Sequence, residues 1–284
     1  MLCSLCPNNC NIDRSQNIGR CGVTDKVKIA KYYLHPFEEP IISGTNGSGT
    51  VFFCGCSLKC VFCQNYELSR NLRGKDISTK ELAEIFMRLE AMGATNINLV
   101  SPTHYADRII EALKIYRPNI PICYNTHGYE KLETIEKLNN FVDIYLPDFK
   151  YFSPTRSKRY SGITDYYEKA YQAIKFMIES KPRILENGIL KQGVIVRHLV
   201  LPQNLDETRA ILTSLKPIIN DAYLSLMAQY TPFGDIDKLP ELKRKITKRE
   251  YEIALSIIEE LGFEDVFTQE FSSQSEKYIP NWDY

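Results

Sequence analysis

Through the middle of this chain, short apolar runs alternate with longer stretches whose apolar residues recur every three or four positions. The runs predict strands at about 50–54, 96–100, 120–124, 142–146, 194–200 and 223–227. Between them, Leu82, Ile85, Phe86 and Leu89 follow Ser78-Thr-Lys-Glu81, a capping box that opens a helix. Further helices are expected at about 105–116, 130–138, 165–180, 206–215 and 248–261, the last behind a second capping box, Thr247-x-x-Glu250. Strands alternating with helices predict βα units around a parallel sheet. The tract 181–193 has neither period and is expected to be the most mobile loop.

Composition narrows the function. Thirty-five basic and thirty-five acidic residues cancel, which argues against nucleic acid or an anionic membrane as partner. No apolar run of about eighteen residues is present to span a bilayer. Met1-Leu-Cys-Ser-Leu-Cys6 lacks the basic and apolar regions of a signal peptide, so a cytoplasmic protein is expected. Nine cysteines, bunched towards the N-terminus, point in a reducing compartment to metal chemistry rather than disulfides. Three segments are expected: a Cys-rich module with its connector at 1–48, the main α/β unit at 49–240 and a C-terminal helix within 241–284.

Two cysteine groups stand out. Cys56-x3-Cys60-x2-Cys63 follows the first predicted strand, and soft thiolates suit iron–sulfur or zinc. Three ligands rather than four leave one metal position open, as a catalytic centre requires. Cys3, Cys6, Cys10 and Cys21 have separations that let them share one further metal, either zinc or a second iron–sulfur cluster. Cys54 and Cys123 fall within strands and are expected to be buried as small hydrophobes. His35, Glu38 and Glu39 flank a proline-rich turn and are expected at the surface.

The triplet after a first strand resembles the signature of radical S-adenosylmethionine enzymes. Gly55 to Asn65, Pro40-Ile-Ile-Ser-Gly44, Asn125-Thr126, Asp148-Phe-Lys150 and Arg197-His-Leu-Val-Leu-Pro202 are together similar to the uncharacterised paralogues of pyruvate formate-lyase activating enzyme. That resemblance implies a partial (β/α)6 TIM-like barrel, a [4Fe-4S] cluster on Cys56, Cys60 and Cys63, and S-adenosylmethionine as cofactor, and it sets the stretch of His35, Glu38 and Glu39 against the active-site mouth. It further implies an electron donor such as flavodoxin or ferredoxin and, in the activating branch, a glycyl-radical enzyme as partner.

Parallel barrels carry their chemistry at the C-terminal ends of the strands. Those ends offer Ser101 and Thr103, Asn125, Asp148 and Lys150, Arg197 and Gln229 as cofactor-binding residues. Asp148 and Lys150 are two apart and point the same way on an extended strand, whereas of neighbours Arg197 and His198 only one faces inward. His104 and His127 read equally well as solvated turn residues. The family's usual Gly-Gly-Glu for the methionine amine is replaced by Ser101-Pro-Thr-His104. Radical hydrogen abstraction is the leading expectation, from a partner's glycine or from a small molecule. The rival is a non-catalytic iron–sulfur or zinc regulatory protein on the same scaffold.

Overall fold

A computed structural model describes residues 2–271. Its strands are β1 (Val27–His35), β2 (Ser48–Phe53), β3 (Lys75–Ile77), β4 (Ile97–Val100), β5 (Ile122–Thr126), β6 (Ile144–Pro147), β7 (Ile184–Glu186), β8 (Ile189–Leu199), β9 (Tyr223–Met227) and β10 (Val266–Thr268). Its helices are α1 (Pro40–Ser43), α2 (Tyr66–Ser69), α3 (Thr79–Ala91), α4 (Ala106–Ile115), α5 (Leu132–Leu138), α6 (Pro154–Ser161), α7 (Tyr166–Ser180), α8 (Leu205–Leu215) and α9 (Lys248–Glu260). The strands form one sheet in the order β10-β9-β8-β6-β5-β4-β2-β1-β3. From β10 to β2 every pairing is parallel; β1 then adds antiparallel to β2, and β3 to β1. The sheet path has two ends, β10 and β3, so the barrel is partial.

The strands alternate between two apolar environments, which is why they read as continuous runs. Leu99, Tyr124, Tyr145, Val196 and Leu224 belong to the core beneath the helices. Cys123, Ile144, Leu146 and Ile195 belong to a smaller core with Ile42 of α1, which plugs the inside of the sheet. Both capping boxes form as expected, at Ser78–Glu81 and Thr247–Glu250. Cys54 and Cys123 are fully buried.

Several features depart from the expected pattern. Residues 27–35, in the stretch expected as a connector, form a sheet strand in which Ile29 and Val27 find buried partners on β2 and β3. The C-terminal segment supplies more than a helix: β10 extends the parallel run beside β9, and residues 272–284 lie outside the described part. The tract 181–193 is a hairpin rather than a loop, with β7 antiparallel to β8. Its turn is Asn187-Gly188, both at positive φ (52° and 78°), the dipeptide that favours a two-residue hairpin turn. The short helix α6 is capped by the Ser153 hydroxyl, which accepts from the Arg156 N–H, and has Pro154 in its first turn.

Candidate active site

The loop leaving β2 carries the three cysteines. Gly55 has φ of 87°, and a Cβ there would lie 2.9 Å from the Cys21 carbonyl, so the turn onto Cys56 is closed to larger residues. Lys59 also sits at positive φ (57°) and reverses the chain between Cys56 and Cys60. Cys56 and Cys60 are buried and Cys63 half-buried. Burial, then the neighbouring Cys63 and Cys60, push the Cys56 thiol up to about 12. A bound metal would reverse that, because metals bind the thiolate.

Donors are already aimed at these sulfurs. Tyr151 Oη and Ser161 Oγ donate to Cys60 Sγ at 3.3 and 3.2 Å, and the Lys59 N–H points at Cys56 Sγ at 3.5 Å. Three soft ligands with donors around their sulfurs fit an iron–sulfur cluster. Among the described residues no three Cys, His, Asp or Glu side chains converge closely enough for a single ion.

Next to the loop lies a layer of charge above the apolar plug. Asp148 uses both oxygens: Oδ2 accepts from Lys150 Nζ at 2.6 Å and Oδ1 from Arg197 Nε at 3.0 Å. Arg197 also donates to Asn125 Oδ1 and lies 3.5 Å from Glu38 Oε2. Sheet register creates this meeting, since Asp148 and Arg197 are bridge partners on neighbouring strands. Burial pushes the Asp148 carboxyl up, but Arg197 and Lys150 outweigh it and hold it below the usual range. Burial acts against the Lys150 ammonium too, yet Asp148 and Cys60 keep its pKa above the ordinary value. Lys150 is thus within electrostatic reach of the cysteine loop.

The remaining predicted residues are placed differently. Ser101 is half-buried at positive φ (58°), its N–H bonded to the Asn125 carbonyl. Thr103 is fully buried, donates to Glu130 Oε1 at 2.6 Å and lies 3.4 Å from His127 Nε2. Gln229 is half-buried, its carbonyl accepting from Gln64 of the cysteine loop at 3.2 Å. Arg197 faces the site while His198 turns away, bonding Phe149 O and Thr208 Oγ1 at 2.8 and 3.0 Å. His104 and His127 are not solvated: each is buried, and burial lowers each to about 3, so both are neutral. His104 Nε2 bonds the Cys54 carbonyl at 2.8 Å and His127 Nε2 pairs with Ser57 Oγ at 2.8 Å, so both brace the cysteine loop.

Sequence reasoning passed over four participants. Glu38 enters the barrel, its side chain 10% exposed, and accepts from Asn98 Nδ2 at 2.8 Å. The apolar Ile41-Ile42 after Pro40 was the available signal, because burying Ile42 draws the preceding acid inward. Glu130, fully buried, is pushed by desolvation up to about 7 despite its bonds from Thr103 and Thr126. Tyr151 and Ser161 reach Cys60 only because α6 folds back. Away from this rim, a cavity of about 390 Å³ lies between the N-terminal segment and α4 and α5, lined in part by Cys3, Arg14, Arg108 and Lys137.

The N-terminal cysteines gather beside the cysteine loop. A Cβ on Gly19 would lie 3.4 Å from Cys21 Sγ and 3.6 Å from Cys10 Sγ. The Asn8 amide approaches Cys6 Sγ at 3.5 Å, and the Arg20 N–H approaches Cys10 Sγ at 3.4 Å.

Residues 50–215, more than half of the chain, match the Radical SAM superfamily. The chain belongs to that superfamily. Its members are enzymes that use a [4Fe-4S] cluster and S-adenosylmethionine, and the residues above fit that pair of groups. Over 275 residues the chain is 30% identical to an uncharacterized protein of Methanocaldococcus jannaschii, covering 93% of this chain and 76% of that one. In fold it is similar to Streptococcus suis SuiB bound to precursor peptide SuiA, with TM-score 0.53, 14% identity and 77% of this chain covered. SuiB without that peptide gives TM-score 0.52 at 14% identity over 81% of this chain. The chain spans about half the length of SuiB, 48% and 50% in the two structures. No helix among the described residues is long and apolar enough to cross a membrane.

Proposed function

We propose that this protein abstracts a hydrogen atom from its substrate by radical chemistry at the Cys56–Cys60–Cys63 loop. The meeting of the three thiols with the Asp148–Lys150–Arg197 chain on one rim carries this reading. When bound, the cluster and S-adenosylmethionine supply a one-electron cleavage that yields methionine and a 5′-deoxyadenosyl radical. The chain's own residues bind, orient and shield. Lys150 has donors beyond the one on Asp148, and with Cys60 near it is placed to take the methionine carboxylate. Asp148 locks Lys150 and Arg197 in place, and Ser101 and Thr103 supply oxygens for the amine where an acid would be usual. Phe62 stands edge-on to Tyr151, Tyr160 and Tyr230, an apolar wall behind Cys60 that excludes water.

The substrate is read as a glycine backbone of a partner glycyl-radical enzyme, on the resemblance of the cysteine loop and of Asp148-Phe-Lys150 to the activating enzymes. A small molecule is the second reading. It is favoured by the polar layer inside the barrel, where Asn98 is fully buried and its Oδ1 has no partner. The test is electron paramagnetic resonance of the anaerobically reconstituted, reduced protein with and without S-adenosylmethionine. A [4Fe-4S]+ signal that changes on adding the cofactor and is lost in Cys60→Ala supports the reading; an unchanged signal refutes it. Formation of 5′-deoxyadenosine on adding a candidate glycyl-radical enzyme, and its absence with small molecules, separates the two substrates.

A further inference from the structure

The N-terminal cysteines are tied to the radical loop at three points. The Cys56 N–H donates to the Cys21 carbonyl at 3.0 Å. Asn8 Nδ2 donates to the Ser57 carbonyl at 2.9 Å while lying 3.5 Å from Cys6 Sγ. Arg20 donates to the Ser161 carbonyl at 2.8 Å, and Ser161 Oγ donates to Cys60 Sγ at 3.2 Å. Two groups of thiols are thus joined ligand to ligand through one hydrogen bond, from the Cys56 N–H to the Cys21 C=O, with two further supporting links.

Charge and placement bear on what the four hold. Arg14 is buried beside Cys21, donates only to the carbonyls of His104 and Thr24, and forms no ion pair among the described residues. The Tyr105 ring, 5.7 Å from the guanidinium carbon, takes part of that charge, and metal-bound thiolates beside it would supply the anion it lacks. Cys10 and Cys21 flank Gly19, their sulfurs 3.6 and 3.4 Å from the position of a Cβ there, and the Cys21 carbonyl ties this group to the redox loop at Cys56. Cys3 and Cys10 are half-buried and Cys3 lines the 390 Å³ cavity, while Cys6 and Cys21 are as buried as Cys56 and Cys60.

We propose that Cys3, Cys6, Cys10 and Cys21 hold a second [4Fe-4S] cluster that relays electrons to the radical centre through the Cys21–Cys56 hydrogen bond. A low-potential one-electron carrier protein reduces the outer cluster from the 2+ to the 1+ state. The outer cluster then returns to 2+ as the inner one takes the electron, with no proton moved. The destination of the electron rests on the radical reading above; the iron content does not.

The experiment is metal analysis and electron paramagnetic resonance of the full chain, reconstituted anaerobically with iron and sulfide. About eight irons per chain are expected, four for each cluster. About four irons with one zinc, or four irons alone, overturns the proposal without any variant. The Cys56→Ala/Cys60→Ala/Cys63→Ala variant should keep about four irons and show no response to S-adenosylmethionine. The Cys6→Ser/Cys21→Ser variant should fall from about eight to about four irons and retain the cofactor-responsive signal. In that variant, reduction of the inner cluster by reduced flavodoxin should be lost while dithionite still reduces it. Undiminished reduction by flavodoxin, or a reduced wild-type spectrum equal to the sum of the two variant spectra with no spin coupling, overturns the relay. A Cys6→Ser/Cys21→Ser signal that ignores S-adenosylmethionine would instead count against the radical reading.

Discussion

Asp148, half-buried, and Glu130, fully buried, are carboxyls on the same side of the barrel whose pKa values move in opposite directions. Asp148 has a cation on each oxygen, Lys150 at 2.6 Å and Arg197 at 3.0 Å, and stays ionised. Glu130 has hydroxyls from Thr103 and Thr126, and its Oε2 has no partner, so desolvation wins and its pKa rises to about 7. Burial is common to the two; the number of cations within reach decides the outcome. The charged layer therefore keeps its ions, whereas the Glu130 carboxyl takes up a proton as pH falls below about 7.

Removing the cations should break this contrast most severely. Arg197→Ala leaves Asp148 and Glu38 facing each other with Lys150 alone, and a loss of about 3–5 kcal/mol in denaturant unfolding is expected. The change should also abolish the effect of S-adenosylmethionine on the cluster spectrum. Arg197→Lys, which keeps the charge but not the fork reaching Asn125 and Glu38, should recover only part of the stability.

Neutralising Glu130 should act next most strongly, and in the opposite direction. Its folded pKa of about 7 lies above the ordinary 4.5, so the folded state binds a proton that the unfolded chain has released. The contribution is fully present below about 4.5, falls as pH rises towards about 7, and is flat above that. The loss across this window is on the order of 3 kcal/mol. Glu130→Gln should remove that slope from stability measured between these pH values; a wild-type slope surviving the substitution would refute the assignment.

A third carboxyl sharpens the rule at the surface. Glu250 accepts from Arg244 at 2.8 Å through both oxygens and caps α9 through Thr247, and these bonds lower it to about 2. Its contribution is present above the ordinary 4.5 and is lost as pH falls through about 2, the reverse sign to Glu130. Because its partner Arg244 is exposed and the pair is screened from that side, Glu250→Gln should cost only about 1 kcal/mol at neutral pH, measured by thermal unfolding.

The capping boxes, the six main strands and the cysteine triplet were legible in the sequence because each is a local pattern with a local physical cause. The parallel neighbours of Asp148 and Lys150 were partly legible, since residues two apart on a strand share a side. Asn187-Gly188 carried a hairpin signal that the lack of period around it hid. Glu38 and Glu130 were not legible as site residues, since an acid in a proline-rich turn and an acid at a helix start are ordinary surface features in sequence.

By itself, then, the sequence determined the alternation of strands and helices, the spacing of the three thiols after the first main strand, and which strand ends carry polar groups. Each depends on spacing along a few residues. Only the tertiary structure decided that Arg197 meets Asp148 across a sheet register, that α1 carries Glu38 into the barrel, and that α6 brings Ser161 to Cys60. It also decided that the Cys21 carbonyl bonds the Cys56 N–H, a contact between distant parts of the chain that no local pattern encodes. Such meetings depend on which strands pair and on what a plug of two isoleucines displaces, and those are properties of the whole packed chain.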